Sequence, residues 1–446
     1  MKPYFLGVHM LGKILDKLRR KPDRQPKKTG PSVPFTGNIQ KDEKILRDIF
    51  RDCDDVKFRK LSVPAMGNRK ALIVFVEGLV NVNALHRDII GKMLSSRQRP
   101  ARDVTELVSA GETERDRCAR DTSTKILLGK VAIVVDTIPE AVVVESKEWP
   151  MRAIEEPLQE RLVRGPREGF TEIIQINAAL IRRRLPDPNL KIVMTEAGRR
   201  SRTKVAILYI EDICDLNIVN EVKERINALD IDGIMEPGEL AELITERTVT
   251  PFPLILSTER PDKVMGGLLQ GKVAIITDGS PFAMLAPVTF AEFFQIPEDY
   301  YMHPLLALTA RLLRLAGLFV ATTLVPAFVA VIMYHYEIIP PGIIVFIAQT
   351  REGVPFSPII EAFALEFAVE LTREASIRLP GPIGPTLGIV GAIILGQAAV
   401  AAHLVSPVLL IMVSMSFTAG SIIPNYEASA VLRWLRFPIL LMAGFL

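Results

Sequence analysis

Residues 315–333, LAGLFVATTLVPAFVAVIM, run for nineteen positions without an ionisable side chain. At about 1.5 Å of rise per helical residue the stretch nearly spans a hydrocarbon core of ~30 Å, so a transmembrane helix is expected here. Pro326 falls inside it. Proline breaks a soluble helix, whereas a membrane helix tolerates it when neighbours satisfy the freed carbonyl, and a plain kink is its simplest reading. The residues before this stretch are mixed and charged, while the last third of the chain turns apolar. That layout describes a soluble head on a membrane base.

Two more apolar segments, 386–402 and 404–423, meet near Ser406-Pro407 and read as a membrane hairpin. Residues 338–350, IIPPGIIVFIAQT, are short for a full span, which leaves a re-entrant or broken helix open. Arg311 and Arg314 precede the first span, Arg351, Arg373 and Arg378 lie between spans, and Arg433 and Arg436 follow the hairpin. All of them can lie inside under the positive-inside rule if residues 338–350 return through the membrane, which agrees with the expectation of a cytoplasmic head. A signal peptide is not expected, because the apolar residues 4–11 are few, are interrupted by His9 and precede the positive charges.

Composition excludes several classes. A net charge of +3 over 446 residues demands no nucleic-acid partner. The basic residues crowd only near the start, from Lys13 to Lys28, in a tail that either lies on an anionic membrane surface or is simply solvated. Three cysteines, Cys53, Cys118 and Cys214, form no CxxC pair, so neither a disulfide framework nor a zinc site is implied. Five histidines are scattered singly, and no HExxH or GxSxG appears. No metal, cofactor or enzymatic activity is expected.

The head repeats itself. Residues 70–81, KALIVFVEGLVN, match residues 204–215, KVAILYIEDICD, at an offset of 134, and residues 129–136, GKVAIVVD, match residues 271–278, GKVAIITD, at an offset of 142. One duplicated unit with a small insertion explains both offsets. Each apolar run is rich in Val and Ile, as suits a buried strand, and helical patterns lie between. The expected fold is an α/β head of two duplicated subdomains followed by an all-α multi-span membrane domain. Residues 1–40 would be a basic flexible tail, 41–150 the first subdomain, 151–300 the second and 301–446 the membrane domain.

Residues 266–272, GGLLQGK, fit GxxxxGK, but Val273 replaces the required Ser or Thr and the glycines precede a strand. A phosphate-binding loop needs the strand first and a helix N-terminus after it. A helix C-cap followed by a strand is the better reading.

Several stretches together resemble the A subunits of the GerA family of spore germinant receptors. They are Glu156-Pro157, VRGPREGFTE (163–172), NAALIRRRL (177–185), Pro251-Phe252-Pro253, TERPDKV (258–264) and PEDYY (297–301), then REGVPF (351–356), IVGAIILGQAA (389–399), LVSP (404–407), IPNY (423–426) and LRFP (435–438). The motifs occur in the family's order from about residue 56 onward. The resemblance implies an integral protein of the spore inner membrane that responds to nutrients. It further implies a transporter-like B subunit and a lipoprotein C subunit as partners, and a homo-oligomeric ring, pentameric in the family, that passes monovalent cations. SpoVAF, a relative that amplifies ion release, shares the motifs and is the alternative identity. A non-conducting scaffold that docks the germinant-binding subunit is the alternative function. Ser357 and His403 depart from the usual family residues, and the family completes another span after an apolar run like 437–446, so a truncated C-terminus is expected.

Candidate functional residues follow from the pattern. In a helix over residues 357–376, Glu366, Glu370, Arg373 and Glu374 share one stripe, with Glu361 opposite. Around a ring, Glu366 and Glu370 would form carboxylate layers about 6 Å apart, a cation filter; the competing reading is a surface helix with its acidic face in water. In the glycine-rich segment that follows, Val390 is a candidate apolar constriction and Gln397 a candidate polar lining residue, although small residues there more often mark packing. Phe293, Phe294, Tyr300 and Tyr301, in FAEFFQIPEDYY (290–301), are candidates for an interfacial anchor coupling head to membrane, or for a plain stiff connector.

Overall fold

The computed structural model of the chain describes residues 33–95, 103–108, 112–146, 156–157, 160–246, 250–378, 391, 393–394 and 396–445. They fall into two compact units, residues 1–51 with 56–149 and residues 52–55 with 150–446.

In the first unit, strands β1 (Val56–Val63), β2 (Arg69–Val76), β3 (Thr113–Asp116), β4 (Lys130–Val135) and β5 (Ala141–Glu145) form one antiparallel sheet in the order β1-β2-β4-β5-β3. Helices α1 (Ile39–Ile49) and α2 (Ala119–Leu127) pack on β2 and β4. A helical stretch carrying Leu85, Ile89 and Met93 packs against Ile73, Val131 and Ile133. With both faces covered, β2 is buried from Ala71 to Val76, which is why it reads as an unbroken apolar run.

The second unit opens with α3 (Ile174–Arg184) and builds its sheet from β6 (Leu190–Ala197), β7 (Thr203–Ile210), β8 (Leu256–Thr258), β9 (Val273–Thr277) and β10 (Ala283–Ala286). Its order, β6-β7-β9-β10-β8, repeats the permutation of the first sheet. Helices α4 (Leu216–Asn227) and α5 (Pro237–Ile244) cover one face, α3 and α6 (Pro261–Leu269) the other. The two-residue period of β7 divides accordingly: Val205, Ile207 and Tyr209 join the α4/α5 core, while Ala206, Leu208 and Ile210 join the α3/α6 core.

The duplication reaches the hydrogen bonds. Asp136 accepts from the Ile39 N–H at 3.3 Å at the start of α1, and Asp278 accepts from the Ile174 N–H at 3.1 Å at the start of α3. The Thr36 N–H donates to Asp42 at 2.8 Å and the Thr171 N–H to Asn177 at 2.8 Å. Gly129 and Gly271, which open β4 and β9, both sit at φ +86°, a left-handed geometry that a side chain disfavours.

The C-terminal part of the second unit is helical: α7 (Pro304–Tyr334), α8 (Pro341–Thr350), α9 (Pro358–Arg378), α10 (Pro407–Gly420) and α11 (Tyr426–Phe445). Among the described residues, α7 and α11 are long and apolar enough to cross a membrane, and α8 and α10 are shorter apolar helices. The 31 residues of α7 extend about 46 Å and contain the whole 315–333 run. It carries Pro326 in its interior and packs against α10, where Ser416 donates to the Ala321 carbonyl at 2.9 Å. Gly317 permits the approach, since a Cβ there would lie 3.1 Å from the Ala419 carbonyl.

Two expectations are corrected. Segment 404–423 yields only the 14-residue α10, about 21 Å long and short of a full span. Arg433 and Arg436, read as charges beyond a hairpin, lie inside α11 at 8% and 4% exposure. Much of segment 386–402, including Val390, and most of the basic tail lie outside the described residues.

Candidate functional site

The connector between the second sheet and α7 consists of two short 3-10 turns, Phe290–Phe294 and Pro297–Tyr300. Pro297 and the Asp299 carboxylate fix the second turn, since Asp299 accepts from the Ile296 N–H at 3.3 Å. From α7, Arg314 donates to both oxygens of Asp299 at 2.7 and 2.9 Å and to the Phe294 carbonyl at 3.0 Å. Arg311 adds a third bond to Asp299 at 3.1 Å. One carboxylate therefore ties the first turns of a membrane-length helix to both connector turns. Burial pushes the Asp299 carboxyl up, but the bonds from Arg314 and Arg311 and from the Ile296 N–H outweigh it and hold the group below the ordinary carboxylate value.

A second tie lies beside the first. Tyr301 donates to Asp262 at 2.7 Å at the start of α6. Asp262 is held in a two-pronged pair by Arg260, at 3.0 Å on each prong, and Arg260 donates onward to the carbonyls of Glu160 at 3.1 Å and Pro166 at 2.9 Å. Burial, then the bond to the Asp262 carboxylate, pushes the Tyr301 hydroxyl up to about 12, because ionising it would set two negative charges against each other.

Phe293 and Phe294, candidates for an interfacial anchor or for a plain stiff connector, are core residues, 2% and 6% exposed, in a cluster that joins Leu208, Val264 and Ile276 of the second subdomain to Ile423, Ala428 and Leu432 at the base of α10 and α11. Subdomain and helices thus share one hydrophobic core. Tyr300 remains exposed, donating to Gln295 at 3.0 Å beneath the Arg311 guanidinium, 5.2 Å from its ring. Arg260, Asp262, Asp299 and Arg314 were not singled out as a site. The spacing of Asp299 from two arginines one turn apart, Arg311 and Arg314, was the available signal, and the positive-inside reading absorbed it.

Acids of α9 meet arginines of α11. Glu366, 1% exposed, lies 2.7 Å from Arg436, and Glu370 accepts from Arg433 at 3.0 Å, so two rungs one turn apart join the helices. The Arg436 contact is a charge pairing rather than an aligned hydrogen bond: neither Glu366 oxygen receives a well-directed N–H from the described residues. Arg373 lies 4.5 Å over the Phe417 ring, and only Glu374 of the stripe is exposed, beside Arg378. An acidic face in water is therefore not what forms. Glu361, expected opposite, is also interior, held by Arg351 at 2.7 Å and by the Ser406 N–H. Gln397 is exposed on a described helical stretch.

Among the described residues no group of His, Cys, Asp and Glu could hold a metal ion. The GGLLQGK segment ends α6 as its geometry requires: the Gly271 N–H returns to the Leu268 carbonyl at 3.0 Å and the Lys272 N–H to the Gly267 carbonyl at 3.1 Å. Lys272 is itself paired with Glu292.

The family model of the Bacillus/Clostridium GerA spore germination protein matches residues 44–446. The chain belongs to the GerA family. It is 36% identical over 419 residues to spore germination protein GerLA of Bacillus cereus, covering 93% of this chain and 85% of that one. It is also 36% identical over 388 residues to spore germination protein KA of Bacillus subtilis, covering 86% and 71%. The crystal structure of the N-terminal domain of the A subunit of the Bacillus megaterium spore germinant receptor GerK3 matches at 28% identity and a TM-score of 0.47, over 58% of this chain and 99% of that domain. In this GerA-family chain the second subdomain and α7 are joined at the connector by the Asp299 and Asp262 bonds and by the core that holds Phe293 and Phe294.

Proposed function

We propose that this chain is the A subunit of a nutrient germinant receptor in the spore inner membrane, with its α/β head in the cytoplasm. In this reading it works beside a transporter-like B subunit and a lipoprotein C subunit and assembles into a ring, pentameric as the resemblance implies, that passes monovalent cations. The observation that carries the proposal is the shared core: Phe293 and Phe294 of the connector pack with Ile423, Ala428 and Leu432, so a rearrangement of the second subdomain is felt at the base of the apolar helices. Asp299 and Asp262 add directional ties at the same place.

Glu366 and Glu370 are ion-path groups in this proposal when their pairs with Arg436 and Arg433 open; Gln397 and Val390 are the remaining lining candidates. The test is potassium release from spores carrying wild type or the Glu366→Gln, Glu370→Gln double variant at equal membrane abundance. Slower or less selective release supports an ion path through these carboxylates. Unchanged release favours the second reading, a non-conducting scaffold that docks the germinant-binding subunit. The interior ion pairing of both glutamates favours that reading. A SpoVAF-type amplifier is separated from a receptor subunit by whether deletion abolishes the response to a nutrient or only slows the release that follows.

A further inference from the structure

The two adjacent glycines of the GGLLQGK segment, Gly266 and Gly267, differ in what surrounds them. Gly267 is required by packing: a Cβ there would lie 2.9 and 3.0 Å from the methyl carbons of Leu285. A Cβ on Gly266 would meet nothing within 4 Å. Gly266 therefore sits inside a helix, where glycine is unfavourable, with no crowding to excuse it. The empty space before it belongs to a half-enclosed cavity of about 250 Å³ between α6 and the connector, walled by Leu256, Met265, Ile296, Pro297 and the two tyrosines, Tyr300 and Tyr301.

The wall chemistry narrows the occupant. Four charged side chains reach the cavity, Asp262, Lys263, Lys272 and Glu292. Each is already neutralised: Asp262 by Arg260, Lys263 by Glu160 at 2.7 Å, and Lys272 and Glu292 by each other. Displacing any of these pairs to recruit a charged ligand would leave a partner uncompensated in a poorly hydrated place. What remains is apolar surface, two aromatic rings and the amides of Gln270 and Gln295. The volume lies below that of a drug-sized pocket.

The geometry points to a binding site for a small uncharged aromatic molecule, of about ten to fifteen non-hydrogen atoms, held between the α6 glycine face and the head-to-membrane connector. Since Gln295, Ile296, Pro297, Tyr300 and Tyr301 all belong to the connector, an occupant would brace the segment that carries Asp299 and its tie to α7. The site is an effector site on the coupling element, and it stands whether the helices conduct or only dock a partner.

The experiment uses the full chain in nanodiscs and the fluorine resonance of 6-fluoroindole, with empty nanodiscs to subtract partitioning into lipid. A fragment of this size is expected to bind at roughly 0.1–1 mM. Wild type should broaden the resonance, and Gly266→Leu, which fills the cavity, should reduce the broadening at least fivefold. Gly266→Ala should retain most of it, and its thermal midpoint should equal or exceed wild type because alanine favours the helix. Tyr300→Ala, at an exposed wall position, should weaken binding without loss of folding and serves if Gly266→Leu does not fold. 6-Fluorotryptophan, the same ring with two charges, should bind at least tenfold more weakly. No broadening above empty nanodiscs, equal broadening by wild type and the wall variants, or equal binding of the charged ring overturns the site.

Discussion

Arg314 of α7 grips Asp299 of the connector through both carboxylate oxygens, at 2.7 and 2.9 Å. Asp299 is 5% exposed and Arg314 8%, so losing Arg314 leaves Asp299 with the more exposed Arg311 alone, and losing Asp299 leaves a guanidinium that water reaches poorly. Breaking such a pair from one side costs about 3–5 kcal/mol. Arg314→Ala is expected to lose stability of that order in denaturant unfolding of the full chain in detergent, and Asp299→Asn somewhat less, because the amide still accepts one bond. A loss below about 1 kcal/mol, the figure for a solvated surface pair, would show that this contact is not a structural tie.

The same pair sets an acid limit. Its bonds hold the Asp299 carboxyl below the ordinary value, so the folded state binds this proton more weakly than the unfolded chain does. The stabilisation is present above the unfolded carboxylate value, about 3.9, and is lost as pH falls through the lower folded value. Asp299→Asn should flatten the acid side of the stability profile; identical acid slopes in both proteins would contradict the linkage.

Tyr301 behaves oppositely. Its hydroxyl is pushed up to about 12, so the neutral donor persists in the folded protein where exposed tyrosines have ionised. The sign places its stabilisation below an unfolded value of about 10, with loss as pH rises through about 12. In an alkaline absorbance titration, Tyr301→Phe should delete one late-titrating tyrosinate and leave the earlier phase unchanged. Deletion from the early phase would mean that the bond to Asp262 does not form.

Much of this architecture is written in local pattern. The Val- and Ile-rich runs at residues 70–76 and 204–210 announce buried strands, and their repetition announces a second copy of the sheet. The 315–333 run announces α7 for the same reason, since an uncharged stretch of that length has few other folds. Helix α11 was hidden because hydropathy counts Arg433 and Arg436 as charges, whereas in the fold Glu370 and Glu366 neutralise them from a helix well before it in the chain. The cavity before Gly266 was hidden likewise. A glycine looks the same in sequence whether a neighbour needs the space or nothing fills it.

The pairing of α9 with α11 makes its own prediction. Glu366→Ala or Arg436→Ala leaves the other charge buried, at an expected cost of about 3–5 kcal/mol, while replacing both with leucine and methionine should cost far less or nothing. A double-mutant cycle in detergent with alanine at both positions, where the double variant also loses packing, measures the coupling, expected at about 0.5–3 kcal/mol for groups in contact. Additive single effects would show that the 2.7 Å contact contributes no net attraction.

The duplicated aspartates permit a test of one device in two copies. Asp278 reaches across 104 residues of sequence to accept the first N–H of α3, and Asp136 spans 97 residues to do the same for α1. A helix start has donors with no intrahelical partner, and losing a side-chain acceptor there costs typically about 1 kcal/mol. Asp278→Ala and Asp136→Ala are each expected to cost about 0.5–2 kcal/mol. Each loss should appear as faster amide exchange confined to the first turn of its own helix. Faster exchange spread over the whole sheet would assign the aspartates to strand closure, since the N–H of each also bonds a carbonyl of the neighbouring strand, Lys70 or Lys204, at 2.9 Å. Asparagine keeps the acceptor and loses the charge, so Asp278→Asn should restore most of the protection if the hydrogen bond, and not attraction to the helix dipole, is what holds α3 in place.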